Sequence, residues 1–98
     1  MAQQSSKQTS RKKASSRPVR VSRATIEKQK RQIPNRLARI RADRSQRSFA
    51  RELGVFQQNV NRYENGTTPH ADFLIALAMQ ENVSLDWLLL GRGQPHPD

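Results

Sequence analysis

Ser45–Gly66, SQRSFARELGVFQQNVNRYENG, places Ala50, Gly54 and Val60 at the offsets that two short helices crossing over a tight turn require. Ser45 is a good N-cap, because its hydroxyl can accept from a free backbone N–H of a helix opening at Gln46. That helix is expected to stop at Leu53. Gly54 stands where the chain must leave it, and the left-handed conformation costs glycine less than any residue carrying a Cβ. Phe49 and Leu53 are four apart and share a face, while Ala50 keeps one point small enough for the second helix to cross closely. Val55 then re-enters the core.

The second helix is expected from Phe56 to Glu64. Turned at about 100° per residue, it puts Phe56, Val60 and Tyr63 on one side and Gln57, Gln58, Asn61, Arg62 and Asn65 on the other. Four amides with one guanidinium make an unusual surface for a helix that only has to stay in solution, where Glu and Lys are commoner. Glutamine and asparagine amides can each offer a donor and an acceptor to adenine N6 and N7, and arginine can fork onto guanine O6 and N7. The face therefore matches the major-groove code of duplex DNA. The two glutamines open the helix, where a docked recognition helix meets base edges. An amide-rich face can equally be solvated; the helix-crossing offsets and the Asn65-Gly66 stop favour base reading.

Around this pair, Pro34 at a first-turn position followed by Leu37 and Ile40 suggests a short helix ending near Asp43. It is strongly basic. Arg36, Arg39, Arg41, Arg44, Arg47 and Arg51 lie on it and on the next helix, where they either flank a phosphate track or form a solvated face. Asp72–Met79 carries Phe73, Leu74, Leu77 and Ala78 at helical spacing. Ser84 caps a last helix holding Leu85, Leu88 and Leu89 before Gly91. Trp87 and Leu90 are harder to place, since one short helix cannot turn every large apolar residue inward; burial is expected for Trp87, and Leu90 is left open as core or dimer contact.

From Ile33 to Gly93 the chain resembles the Cro and phage-repressor type of helix-turn-helix protein, the XRE family, through RLARIRADRSQRSFARELGV, NRYENG and the ending VSLDWLLLGRG. The resemblance implies an all-α, compact five-helix, lambda-repressor-like domain over residues 33–91 with its helix-turn-helix at 45–66. It also implies a sequence-specific transcriptional regulator, often a repressor, that works as a homodimer on a partly palindromic duplex operator. Carried over by position, base-reading places fall on Gln57, Gln58 and Arg62, with Asn61 also on the groove side. Phosphate contacts fall on Gln46, at a helix start whose free N–H groups favour a phosphate oxygen, and on Asn65. Thr67 and Thr68 continue from Asn65 in a loop whose N–H and hydroxyl groups could follow the strand, and Arg44 joins this set from the basic track. The loop could also be an ordinary C-cap and turn.

Four positions depart from the family pattern. Phe56 stands where a capping Ser or Thr is common; it either packs against the core, the expected outcome, or presents an apolar edge to a thymine methyl. His70 replaces a usual capping Ser. Asn82 replaces a usual Gly and tolerates the left-handed conformation, while Glu81, where apolar residues are common, suggests locally altered packing.

Charge is uneven within the total of +10: residues 1–32 hold ten Lys or Arg and one Glu, a net of +9, whereas residues 33–98 hold eight against seven acids, a net of +1. Residues 1–32 are expected to be a basic, largely disordered tail with a short helix at 24–31, and 92–98 a C-terminal tail. The basic tail would attract duplex phosphates without reading sequence, or serve only as a solubilising extension. With no cysteine there is no disulfide frame or thiolate metal site, so the cytoplasm is the expected location; the family resemblance implies a bacterial or phage-encoded protein associated with DNA. The longest apolar run, Phe73–Met79, is far shorter than the ~20 residues a membrane helix needs. Two histidines beside prolines and no paired carboxylates at catalytic spacing argue against an enzyme, and no cofactor or metal is expected. Two alternatives stay open: an antitoxin of the same fold, bound to a small protein partner while repressing its own operon, and a basic RNA-binding protein, for which no stacking sheet is evident.

Overall fold

A computed structural model describes residues 20–97 and shows five helices among them: α1 (Arg23–Arg41), α2 (Gln46–Leu53), α3 (Gln57–Glu64), α4 (Ala71–Glu81) and α5 (Leu85–Leu90). The expectations for residues 1–19 lie outside the described residues. Three of the five helices begin where a side chain relieves an unpaired N–H group. Ser22, Ser45 and Ser84 do so with their hydroxyls, accepting from Thr25, Ser48 and Trp87 at 3.1, 3.0 and 3.3 Å.

The longest helix differs from its expected form. Instead of a short helix at 24–31 and a second one opening at Pro34, α1 runs unbroken for 19 residues with Pro34 inside it. The ring removes the N–H that would meet the carbonyl four residues back, that of Lys30, a residue left partly exposed. Burial of Ile33, Leu37 and Ile40 on one face carries the helix through this defect.

The helix pair follows the spacing closely. α2 ends at Leu53, and Gly54 adopts φ 74°, its N–H directed at the carbonyls of Ala50 and Arg51. Val55 donates to Ala50 O at 3.0 Å, which closes the turn. α3 crosses α2 and packs on α1, while α2 also touches α4 and α1 supports α5. Leu37, Phe49, Val60, Leu77 and Leu88 are fully buried at the centre, joined by Ala50 and Leu53, and Tyr63 meets Phe73 edge-on with ring centroids 4.8 Å apart.

Trp87 is buried, with the Arg39 guanidinium 5.1 Å from its ring centroid, and Leu90 is 42% exposed. Asn82 takes the left-handed conformation at φ 52°. Glu81 keeps its place at the end of α4 by pairing with Arg44 at 3.0 Å. Phe56 overturns its expectation: it is 77% exposed and makes no core contact that hides it. As the N-cap of α3 it precedes the first helical turn, so the periodicity that turns Val60 and Tyr63 inward does not govern it. After Gly91 the chain bends back, and Pro95 O accepts from Ser84 N at 2.8 Å.

Candidate nucleic-acid interface

Val60 and Tyr63 lock the inner face of α3 into the core, and this fixes which side chains its outer face shows. Gln57, Gln58, Asn61, Arg62 and Asn65 are all exposed. Gln46 at the start of α2 joins Gln57, Gln58 and Asn61 around one open hollow between the two helices. The structure thus brings the four base-reading candidates and two phosphate candidates, Gln46 and Asn65, onto a single surface.

Behind that surface runs a chain of hydrogen bonds. Asn61 Nδ2 donates to Gln46 Oε1 at 3.3 Å, and Gln46 Nε2 donates to Glu64 Oε1 at 3.1 Å. Glu64 in turn accepts from Arg41 Nε at 2.7 Å and Nη2 at 3.0 Å, a two-pronged pair whose carboxylate side chain is only 9% exposed. The hydrogen bond to Glu64 raises the Arg41 pKa, burial opposing it. The consequence is orientation: the Gln46 amide is held between a carboxylate and a neighbouring amide, so which end is donor and which acceptor is set before any ligand arrives. Local spacing carries no sign of Arg41 and Glu64, since their partnership spans 23 positions.

Asn65 Nδ2 donates to Asn61 O at 2.7 Å, an ordinary helix-ending contact that leaves its side-chain oxygen for other use. Thr67 and Thr68 are exposed, but Thr67 N–H already donates to Arg62 O at 3.0 Å, leaving the hydroxyl as the group that can face outward. Beside this loop the structure adds two cations that the sequence did not point to: Lys30 and Arg31 of α1 share a hollow with Gly66 and Thr68, together with Glu27 and Pro34.

Arg44 must be withdrawn from the phosphate set. Its Nε donates to Arg41 O at 3.1 Å, Nη2 to Ile40 O at 2.7 Å and Glu81 at 3.0 Å, and Nη1 to Glu52 at 2.8 Å and Glu81 at 3.1 Å. The guanidinium also lies 4.7 Å from the Phe49 ring centroid. A guanidinium has five N–H groups, and all of them are satisfied within the chain. Its pKa is raised, first by the hydrogen bond to Glu81 and next against burial by that to Glu52. Arg36 is also engaged, donating to Leu88 O at 3.2 Å. Of the six arginines expected along the track, Arg39, Arg47 and Arg51 are exposed, and their side chains make no hydrogen bond or ion pair among the described residues.

Among the described residues no cluster of three or more His, Cys, Asp or Glu is placed to hold a metal, and no helix is long and apolar enough to cross a membrane. A family model described as helix-turn-helix matches residues 36–88, from the second half of α1 into α5. No solved structure matches the chain.

Proposed function

The chain belongs to the helix-turn-helix family of the Cro and phage-repressor type, DNA-binding regulators of transcription, and on that premise we propose that α3 is its recognition helix and that Gln57, Gln58, Asn61 and Arg62 choose the bases. The observation that carries this reading is the state of Gln57, Gln58 and Arg62. All three are exposed in one row on the outer face of α3, and none of their side chains makes a hydrogen bond among the described residues. Polar side chains held on a rigid scaffold and left without internal partners are suited to meet base edges.

Gln46, Asn65, Thr67 and Thr68 border the row and meet the phosphates on either side, setting the register of the helix without reading sequence. The protein acts as a homodimer on a partly palindromic operator, with two α3 helices about 34 Å apart in successive major grooves, and represses the genes beside it. The basic residues 1–20 add affinity for any duplex.

Selection of bound duplexes from a random pool, using the full chain, tests the reading. The expected product is an inverted repeat whose half-sites are spaced by one helical turn and whose preference disappears when Gln57, Gln58 and Arg62 become alanine. A pool that yields no shared motif, or a stronger preference for hairpin RNA than for any duplex in competition, overturns it.

A further inference from the structure

We propose that Phe56 is a specificity-determining residue that recognises the 5-methyl group of one thymine in each half of the operator, adjacent to the bases met by Gln57 and Gln58. The inference rests on α3 being the recognition helix. Its grounds are the placement and the chemistry of one side chain.

Phe56 is 77% exposed, as the N-cap just before the helix that carries the amide row, and its backbone is extended at φ −75° and ψ 140°. It occupies the N-cap, where a hydroxyl or carboxylate would relieve a free N–H, and provides no side-chain cap; only its carbonyl serves the helix, accepting from Asn59 N at 3.0 Å. The other helices of similar length show the contrast, since Ser45 and Ser84 cap theirs through the side chain. A large aromatic ring here contributes neither to the cap nor to the core. What it does offer is exposed apolar surface at the residue immediately before Gln57.

The major groove displays one apolar group that distinguishes a base, the thymine C5-methyl. Amides and a guanidinium read donors and acceptors and are poorly suited to it, whereas a phenyl ring gains from covering it by the same burial that drives packing. Ile75 and Met79 are also exposed, at 54% and 79%, but they sit on α4 and adjoin no base-reading side chain.

The experiment removes the methyl and nothing else. In the duplex selected by the full chain, each thymine is replaced singly by deoxyuridine, and binding is measured for the wild type, Phe56→Ala and Phe56→Ser, the last restoring a hydroxyl cap so that any helix effect is separated from the ring. One thymine per half-site is expected to show about a fourfold loss for the wild type on substitution. Both variants should bind the thymine and deoxyuridine duplexes alike. If every thymine tolerates deoxyuridine in the wild type, or if the variants keep the same methyl sensitivity, the role of Phe56 is overturned while the reading of α3 stands. A selection that returns no motif overturns both.

Discussion

Arg44 and Arg62 flank the helix pair in sequence, one before α2 and one on α3, and their surroundings are opposite. Arg44 lies in the bend before α2, where all five of its N–H groups meet carboxylates or carbonyls of Glu52, Glu81, Ile40 and Arg41. Arg62 lies exposed on the outer face of α3, and its side chain makes no hydrogen bond among the described residues. The same contrast separates Glu64, gripped by Arg41 and Gln46, from Gln57 and Gln58, which nothing internal holds. One set of polar groups ties helices together; the other is left over once the fold is complete. Residue type does not tell them apart, but partnership does.

The contrast is broken most directly by replacing the outer set. Gln57→Ala, Gln58→Ala and Arg62→Ala together should erase site preference, at about 1–3 kcal/mol for each base pairing removed, in a competition assay of selected against scrambled duplex. The same triple variant should change the free energy of urea unfolding by no more than about 0.5 kcal/mol, as exposed substitutions usually do. A large drop in stability would mean that the row belongs to the scaffold.

Arg44→Ala tests the other side. It strands Glu81, whose side chain is 16% exposed, and should lower unfolding free energy by about 2–3 kcal/mol, with the folded fraction keeping its site preference. If binding fell at unchanged stability, Arg44 would be a phosphate ligand after all. Removal of residues 1–20, which hold six Lys or Arg and no acid, should weaken every duplex about tenfold, roughly 1.4 kcal/mol. It should also flatten the dependence on salt by up to about 0.9 in logarithmic slope for each phosphate that the tail no longer neutralises. Preference among duplexes should be untouched. The smallest effect is a gain: Phe56→Ser supplies the missing cap of α3 and should raise unfolding free energy by about 0.5–1 kcal/mol.

Much of the scaffold is legible because its signals are local. Ser45, Gly54 and Ala50 define α2 and its turn within a ten-residue window, and Ser84 with Gly91 does the same for α5. The outer face of α3 is legible for the same reason, since helical periodicity alone separates Gln57, Gln58, Asn61 and Arg62 from Val60. What escapes is either non-local or ambiguous. Arg44 and Glu81 are 37 positions apart, so no spacing rule joins them. Glu81 does register as an oddity among apolar neighbours, a half-read sign of its partner. Pro34 reads equally as a helix start or as a tolerated interior residue, and only the burial of Ile33 ahead of it decides. Phe56 misleads because hydrophobic character suggests burial, whereas an N-cap precedes the periodic positions.

The hydrogen bond from Ser84 to Pro95 O has its own consequence. At six residues α5 is too short to persist in water as an isolated helix. The fold-back turns its flanks into a closed bracket, reinforced where Arg92 reaches Asp86 at 3.2 Å. A chain cut just after the last helix would open that bracket and loosen Leu88 within the core it shares with Leu37. The few residues that trail the domain therefore serve as its clasp.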